Sequence, residues 1–356
     1  DLNIDLDLDP HLNRMAERIA AGEGADYTAS RGEYLNGRIL AKLLDAEFVD
    51  AAEVICFDEH GRYLADQTNL AVADRLGGYD RAVVPGFYGA RPDGSVQTFS
   101  RGGSDVTGAI VARAVEAEVY ENWTDVSGLL RTDPRIVPGA RAIRVLTYRE
   151  LRELAYMGAT VLHDEAIFPV REAGIPVQIR NTNLPDEEGT LIIKEIPGGM
   201  PHTGAVTGIA GRKGFTVIGI DKTLMNSEIG FARRMLSALE RHGVSFEHMP
   251  TGIDTISLVI ESAQLDGRLE EILEEIRAEC EPDGIEVNQD IALIATVGRG
   301  MTHSPGMAAR LFGALAAAGV NIRVIDQGSS ELNIIVGVES ADFETAVKAI
   351  YDAFVD

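Results

Sequence analysis

The sequence is poor in cysteine and in positive charge. Its two cysteines, Cys56 and Cys280, lie far apart and lack the spacing of metal ligands, which excludes a disulfide framework and a cysteine-based metal centre. We therefore expect two reduced thiols in a cytoplasmic protein. Lys and Arg number 32 against 56 Asp and Glu, the formal net charge is -24, and only five residues are lysine. Because nucleic acids and anionic membranes are bound through clustered Lys and Arg, we expect neither as a partner.

Long apolar runs are also missing. No stretch approaches the roughly 20 apolar residues of a membrane span, and no segment has the pattern of a signal peptide. The chain begins Asp-Leu-Asn-Ile-Asp without a methionine, so we expect it to be part of a longer chain. What is present is 356 residues that are 45% hydrophobic and 25% charged, a composition typical of a globular protein with two or three domains.

The first half of the chain alternates between strand and helix patterns. Apolar residues recur at helical spacing from Leu12 to about Asp45. Short apolar runs that predict strands lie at 54–57, 82–84, 119–120 and 177–179, and helical patterns lie at 105–117, 147–157 and 164–173. This alternation indicates an α/β architecture, with a largely parallel sheet and helices on both faces. Ligands of such sheets bind at the carboxyl ends of the strands.

The second half of the chain repeats itself after a Gly- and Pro-rich boundary at 196–201. Met225 and Gly230 recur as Met301 and Gly306, a constant offset of 76 residues. Each copy has the β-α-β-β-α order of a ferredoxin-like α+β module. Its helices are predicted at 231–241 and 265–280 in the first copy and at 307–317 and 343–354 in the second. We expect a first domain at 1–198 and two modules at 203–281 and 291–356.

A glycine-rich turn at the start of the helix pattern at 105–117 is the strongest candidate binding element. Gly102 and Gly103 let backbone N–H groups approach a ligand, and a helix N-terminus favours an anion. Arg101 adds a two-pronged donor for a carboxylate or phosphate, and Asp105 supplies the opposite charge. The alternative is that Ser104 or Asp105 is a plain N-cap.

Two further segments carry candidate polar side chains. Glu33 lies in Ser-Arg-Gly-Glu-Tyr-Leu-Asn, near the predicted start of a helix, where a capping glutamate is the alternative. Thr124 and Asp125 end a predicted strand, where they can hydrogen-bond a ribose or base. Arg135, in Arg-Thr-Asp-Pro-Arg, can reach phosphates, although Asp133 in its Asp-Pro pair is equally typical of a structural turn.

Taken in order, these segments resemble aspartate kinases of the amino-acid kinase superfamily. The resemblance runs from about Tyr27 to the C-terminus. It rests on SRGEYLN, VVPGFYG, FSRGGSD, WTDVSG, RTDPR, YMGATVLHDEAIFP and IPVQIRNT. The two repeats resemble the paired ACT domains that these kinases carry for feedback control. The fold expected from the resemblance is an amino-acid-kinase sheet followed by two ACT modules.

The resemblance implies an activity and roles for individual residues. The activity is ATP-dependent phosphorylation of the side-chain carboxylate of L-aspartate, the first step of lysine, threonine and methionine biosynthesis. Glu33 and Asp105 would hold the α-ammonium of aspartate, and Arg101 and Ser104 its carboxylates. ATP would be contacted by residues of the glycine turn, the strand end and the Arg-Thr-Asp-Pro-Arg segment, with Mg²⁺ bridging its phosphates. These ATP-binding residues are Gly102, Gly103, Thr124, Asp125, Thr132, Asp133 and Arg135.

The family also has features that this chain does not match. Family members open with a strand and a Lys-Phe-Gly-Gly-Ser-type loop, and the sequence contains no such loop. Thr160 stands where a second family lysine lies. Two hypotheses therefore stand side by side: a regulated aspartate kinase, and a catalytically incomplete chain that senses an amino acid.

The resemblance places the feedback site at the loop and helix start of the first repeat and on the strand that follows. Lysine, threonine or both are the expected effectors, and the ACT modules are expected to join copies into a homo-oligomer. Glu228 favours a cationic effector, although it is equally typical of a solvated acid in a first helical turn. The predicted effector-binding residues are Met225, Asn226, Glu228, Ile229, Gly230, Phe231, Ala232, Ser245 and Glu247.

Overall fold

The computed structural model describes residues 4–100, 102–159, 166–197 and 204–355. The chain divides into two compact units. The first takes the described residues within 1–128, 144–148 and 160–198, and the second takes those within 129–143, 149–159 and 199–356. The segments 129–143 and 149–159 thus group with the repeats, although both lie inside the first predicted domain. The predicted domain boundaries themselves stay a prediction.

The first unit has the α/β character expected of it, with short strands and longer helices. Its helices are α1 (Asp9–Ala20), α2 (Ala25–Leu44), α3 (Ala51–Val54), α4 (Ala65–Leu76), α5 (Gly103–Ala114) and α7 (Phe168–Ala173). Its strands are β1 (Glu47–Phe48), β2 (Ala82–Val83), β3 (Tyr88–Ala90), β4 (Val96–Thr98), β5 (Tyr120–Thr124), β6 (Val145–Thr147), β7 (Val177–Asn181) and β8 (Thr190–Ile193). Helix α6 (Tyr148–Tyr156) begins in the first unit and continues in the second.

The sheets of the first unit are mixed rather than wholly parallel. β1 pairs with β2 in parallel, and the order β5-β7-β8-β6 contains two parallel pairs and one antiparallel pair, β7 with β8. The strand predicted at 54–57 is wrong. Val54 ends the short helix α3, and Cys56 and Phe57 make only isolated bridges. The apolar run is instead buried around Ile55 and Tyr88, whose packing does not require a strand.

The second unit contains both repeats, built on one five-stranded sheet of order β10-β9-β11-β13-β12. Its strands are β9 (Gly208–Asp221), β10 (Thr255–Glu261), β11 (Gly284–Val297), β12 (Ile322–Asp326) and β13 (Asn333–Glu339). Its helices are α8 (Phe231–Arg241), α9 (Leu269–Cys280), α10 (Met307–Ala317) and α11 (Phe343–Phe354). Short 3₁₀ turns lie at Met225–Ser227, Ser262–Leu265, Arg299–Met301 and Ser340–Asp342.

The predicted β-α-β-β-α order is confirmed in the second repeat, as β11, α10, β12, β13 and α11. In the first repeat the described elements are β9, α8, β10 and α9, and the segment between α8 and β10 forms isolated bridges at His248 and Thr251 instead of the predicted extra strand. The two repeats share one addition that the sequence did not indicate. β9 and β11 are long antiparallel strands that run through both modules. Residues 284–288 of β11 pair with residues 217–221 of β9 in the sheet of the first module. Residues 208–213 of β9 pair with residues 292–297 of β11 in the sheet of the second module. Each module's sheet therefore includes a strand segment from the other repeat. Register shifts between Asn288 and Ala292 on β11, opposite the left-handed Gly214 on β9, mark the junction.

Each module has its own apolar core beneath its helices. Phe231 and Met235 of α8 and Ile272 of α9 pack on one part of the sheet, and Leu311 and Ile350 pack on the other. No helix in the described ranges is long and apolar enough to cross a membrane.

Candidate functional site

The glycine turn brings two sequence motifs of the first unit into contact. A methyl group on Gly103 would lie 2.5 Å from Cβ of Phe87, and one on Gly86 would lie 3.2 Å from Cα of Ser104. The loop at 85–88 therefore lies directly against the start of α5, and only glycine permits this approach. Gly102, at a φ of 59°, is the N-cap of α5 and leaves the first N–H groups of the helix without a side-chain cap. The alternative in which Ser104 or Asp105 is the N-cap is therefore wrong.

Asp105 is held in place by the neighbouring strand. Its Oδ1 accepts a hydrogen bond from Nδ2 of Asn122 at 2.8 Å, and Asn122 is only 9% exposed. The hydroxyl of Tyr120 donates to the backbone carbonyl of Asp105 at 3.3 Å and accepts from Asn122 at 3.1 Å. Burial raises the pKa of Tyr120 to about 12, so the phenol stays protonated. Sequence reasoning missed Asn122, whose only signal was a polar residue at the centre of a short strand.

Glu33 does not lie near a helix start as expected, because α2 begins at Ala25 and Glu33 is the ninth residue of the helix. It therefore cannot cap α2. Gly37, one turn further along the same face, lies close to Pro85, so this face of α2 meets the loop at 85–88. No ion pair or hydrogen bond of the Glu33 carboxylate occurs among the described residues. Arg101, the predicted carboxylate ligand, lies outside the described residues.

Helix α2 also carries a buried arginine that the sequence did not single out. Arg31 is 9% exposed, and its guanidinium lies 4.5, 4.8 and 5.3 Å from the ring centroids of Tyr27, Tyr34 and Tyr88. It donates to the carbonyl of Tyr27 and to the hydroxyl of Ser30. These contacts fasten α2 to β3, which leads out of the loop at 85–88.

Thr124 and Asp125 lie at the carboxyl end of β5, as predicted. β7 runs parallel to β5, so its own carboxyl end lies at the same edge of the sheet. Thr182, just after β7, donates from its N–H and its hydroxyl to the carbonyl of Thr124, at 2.8 and 3.0 Å. Gly128, at a φ of 97°, packs against Thr190 where no side chain would fit. The result is a tightly held loop at the edge where ligands of parallel strands bind.

Thr132, Asp133 and Arg135 belong to the second unit. Thr132 is buried. Arg135 clamps Asp133 through two guanidinium nitrogens, at 3.0 and 2.6 Å, and also donates its N–H to the same carboxylate. This ion pair and these hydrogen bonds lower the pKa of Asp133. Asp133 therefore organises a turn, the structural alternative considered above, while the exposed guanidinium of Arg135 faces solvent.

The predicted effector loop leads into α8. Gly230, at a φ of 84°, is the N-cap of α8, and no side chain caps the helix. Ile229 is 97% exposed, whereas Met225 and Phe231 are buried beneath the turn. Asn226 donates its backbone N–H to Ile253, and Ala232 packs against the core of the module. The start of α8 thus lacks a side-chain cap beside an exposed apolar residue, although the N–H of Phe231 donates to the carbonyl of Glu228 at 3.3 Å.

The charged residues near this loop already have partners. Glu228 is bound by Arg234 and lies 3.9 Å from Lys222. Ser245 donates from its N–H and its hydroxyl to Oε1 of Gln264, at 2.9 and 3.0 Å. Their predicted roles in effector binding stay predictions.

Glu247 lies in a network that the sequence did not reveal. Its side chain is 8% exposed, accepts a hydrogen bond from the hydroxyl of Tyr156 and lies 3.8 Å from Arg212. Tyr156 ends α6 and Arg212 lies on β9, so Glu247 joins α6 to the sheet of the second unit. Burial and the neighbouring carboxylate raise the pKa of Tyr156 to about 12. The predicted role of Glu247 as an effector ligand stays a prediction.

Comparison with known proteins identifies the family to which both units of this chain are similar. A model of the amino acid kinase family matches residues 3–181, and a model of the ACT domain matches residues 294–354. Aspartokinase 3 of Bacillus subtilis (strain 168) is 41% identical over 338 residues, which cover 92% of this chain and 74% of the relative. This chain belongs to the aspartate kinase family.

Solved structures agree with the assignment to this kinase family. The aspartate kinase of Clostridium acetobutylicum, an allosteric enzyme, is 56% identical with a TM-score of 0.92, covering 99% of this chain and 81% of that one. E. coli aspartokinase III, solved with aspartate and ADP in its R-state, is 27% identical with a TM-score of 0.70, covering 97% and 79%. The chloroplastic aspartokinase 1 of Arabidopsis thaliana is 33% identical over 349 residues, and the chain spans 60% of its length.

Proposed function

We propose that this chain transfers the γ-phosphoryl group of ATP to the side-chain carboxylate of L-aspartate, giving 4-phospho-L-aspartate and ADP. This is the first step of lysine, threonine and methionine biosynthesis. The observation that carries the proposal is the placement of Asp105. Its carboxylate lies in the first turn of α5 and is fixed by Asn122, beside the glycine turn. E. coli aspartokinase III, a structural neighbour, has been solved with aspartate and ADP.

In the proposed complex the substrate's charges are matched one by one. Asp105 and Glu33 accept hydrogen bonds from the α-ammonium, because both are carboxylates on elements that meet the loop at 85–88. Arg101 and Ser104 hold the two carboxylates, helped by the open N–H groups of α5. A side-chain carboxylate oxygen then attacks the γ-phosphorus in line, and the bond from that phosphorus to the β–γ bridging oxygen breaks as ADP leaves. Positioning and charge neutralisation supply most of the catalysis in such transfers.

ATP is assigned to the edge formed by Thr124 and Asp125, with Gly102 and Gly103 near its phosphates. Thr132, Asp133 and Arg135, which belong to the second unit, stay predicted contacts of ATP. No group of three or more His, Cys, Asp or Glu in the described ranges can hold a metal ion. Mg²⁺ is commonly held by one or two carboxylates and the nucleotide's own phosphates, and we propose that it would be held mainly by those phosphates here. When bound, Mg²⁺ neutralises charge on the transferred group.

We further propose that lysine, threonine or both regulate the enzyme through the loop that begins α8. The N–H groups in the first turn of α8, which no side chain caps, suit an α-carboxylate. Ser245 and Glu247 follow on the neighbouring segment and are proposed to face the ammonium or the effector side chain. E. coli aspartokinase III has been solved with lysine and aspartate in its T-state. We also propose that the ACT modules pair two copies of the chain, which light scattering with and without effector would test.

The activity is tested by trapping the acyl phosphate with hydroxylamine during steady-state turnover. We expect turnover that needs both ATP and L-aspartate. Arg101→Ala should raise the aspartate requirement strongly, because a carboxylate loses a bidentate partner worth roughly 2–5 kcal/mol. Ser95→Ala, which changes an exposed turn outside the proposed site, serves as the control. Aspartate saturation unchanged in Arg101→Ala would remove Arg101 from the site. Effector binding without any turnover would favour the amino-acid-sensing hypothesis.

A further inference from the structure

A cavity of about 270 Å³ opens on the sheet of the second unit. It lies on the face turned away from helices α8 and α9. Ile218 and Leu258 point into the core under those helices, so the alternate residues Val217, Gly219 and Ser257 point to the other face. A volume of this size equals about nine water molecules and suits a molecule of amino-acid size. The residues of the proposed effector loop do not line it.

Gly219 forms the floor of the cavity. It pairs across the sheet with Ser257 on β10 and with Glu286 on β11, and Asp221 follows on the same face. A methyl group on Gly219 would meet nothing closer than the carbonyl of Glu286, at 3.8 Å. The backbone therefore tolerates a side chain here, and a glycine inside a strand costs stability. Such a glycine marks a place that another group approaches closely.

The groups around Gly219 are hydrogen-bond acceptors with unused capacity. The side chains of Asp221 and Ser257 make no hydrogen bond or ion pair within the described ranges. In the part of the chain that the structure describes, the Glu286 carboxylate accepts one hydrogen bond, from Nδ2 of Asn288 at 3.1 Å. Ser257 and Glu286 pair directly with Gly219, one on each side, and such pairs have Cβ positions roughly 5 Å apart. Asp221 lies two residues further along β9 on the same face, at the roughly 7–8 Å of a diagonal neighbour from Ser257 and Glu286, so the three side chains border the cavity above Gly219.

Charge decides which ligand fits this arrangement. Among the described residues, the one cationic side chain that lines the cavity is Arg323, which is already bound to Glu339 at 2.9 Å and to Oδ1 of Asn288 at 2.5 Å. Asp221 and Glu286 therefore leave the cavity negative. A primary ammonium group carries three N–H donors, which matches three acceptors. Val217, which is 8% exposed, offers a small apolar surface beside them for a hydrocarbon chain.

We propose that this cavity binds a small primary ammonium compound. The ammonium lies above Gly219 and donates to Asp221, Ser257 and Glu286, and its methylene chain lies along Val217. The site differs from the proposed effector loop because it needs no α-carboxylate on its ligand. Both carboxylates lie at an exposed rim, so we expect a dissociation constant of about 1 mM.

The experiment titrates the full chain with 1,5-diaminopentane by calorimetry. This probe lacks the α-carboxylate that the effector loop would need. Gly219→Val fills the cavity with a residue suited to a strand and should weaken binding at least tenfold. Gly328→Val adds the same side chain at an exposed glycine with nothing within 4 Å and should leave binding unchanged. 1,5-Pentanediol, which lacks the charge, should not bind.

Glu286→Gln is the second variant, because it keeps the shape of an exposed side chain and removes one charge. It should weaken binding severalfold even if Gly219→Val fails to fold. The proposal is overturned if the unmodified chain shows no saturable binding of 1,5-diaminopentane in the millimolar range. It is equally overturned if Glu286→Gln, or folded Gly219→Val, binds the diamine as tightly as the unmodified chain.

Discussion

Replacing Asn122 by alanine tests a residue that holds Asp105, in the proposed substrate site, without being proposed to touch substrate. Nδ2 of Asn122 donates to Asp105 at 2.8 Å and to Tyr120 at 3.1 Å. The substitution removes both hydrogen bonds and leaves the backbone of β5 paired with β7. Asp105 then loses the contact that selects its side-chain rotamer, although Tyr120 still holds its backbone carbonyl.

The size of the effect follows from the type of bond that is lost. A hydrogen bond to a charged group is worth about 1.5–3 kcal/mol. If all of that appeared in aspartate binding, the Michaelis constant would rise by about 10- to 150-fold. Because Asp105 is partly exposed, water replaces some of the lost bond, and we expect an increase near the lower limit, about tenfold. The turnover number at saturating aspartate should change less.

The assay is hydroxylamine trapping across a range of aspartate concentrations at saturating ATP. Asn181→Ala is the matched control, because Asn181 is also buried, lies on the neighbouring strand β7 and donates to the hydroxyl of Ser127 at 2.9 Å instead of to Asp105. It should leave the Michaelis constant for aspartate unchanged. If Asn122→Ala saturates with aspartate like the unmodified chain while Asp105→Asn does not, the positioning role of Asn122 is refuted.

Three further predictions concern stability. Arg31→Lys should lower the free energy of unfolding, measured in urea, by about 1–2 kcal/mol. The charge is kept, but the lysine ammonium lacks the planar guanidinium that packs on three tyrosine rings. An unchanged free energy of unfolding would contradict this prediction. Glu247→Gln should lower the free energy of unfolding by about 1–2 kcal/mol, because the partly buried contacts of Glu247 with Tyr156 and Arg212 weaken. A thermal melt that matches that of the unmodified chain would argue against the network. Burial raises the pKa of Tyr120 from 10.0 to about 12, so the phenol keeps its proton to a higher pH in the folded chain than in the unfolded chain. Its contribution to the free energy of unfolding is therefore fully present below pH 10 and is lost between about pH 10 and 12. Thermal melts across that range should show a fall in stability that is smaller in Tyr120→Phe.

The elements that the sequence predicted well have strong local signals at both ends. Helices α8 and α10 begin and end at the predicted residues, because a left-handed glycine precedes each one and its apolar residues follow a helical period. The failures arise where the local signal points to the wrong element. The run at 54–57 is apolar enough for a strand, yet it is buried at the end of a short helix. Ser-Arg-Gly before Glu33 resembles a helix start, yet α2 continues through Gly32.

The sequence identifies candidate residues of the site, but it does not identify the hydrogen-bond partners of those residues. The glycine turn and Asp105 are visible as a motif because their spacing along the chain is fixed. The partners of Asp105 and Glu247 are not, since Asn122 and Tyr156 are 17 and 91 residues away from them. A single sequence contains no signal for such pairs, because any buried polar residue would satisfy the same local pattern.

The two close glycine contacts explain why the turn and the loop at 85–88 act as one element. Gly103 packs on Phe87, and Gly86 packs on Ser104. Each glycine therefore leaves the room that a residue of the other segment occupies. Phe87 is fixed from two further sides, because its N–H donates to the hydroxyl of Thr107 at 3.0 Å and its carbonyl accepts from Phe99 at 2.9 Å. The loop therefore cannot retreat to admit a side chain without breaking a bond to α5 or to the end of β4. Any change at either glycine must reach Ser104 and Asp105, and the glycines consequently set the geometry of the proposed substrate site although they contribute no side chain to it.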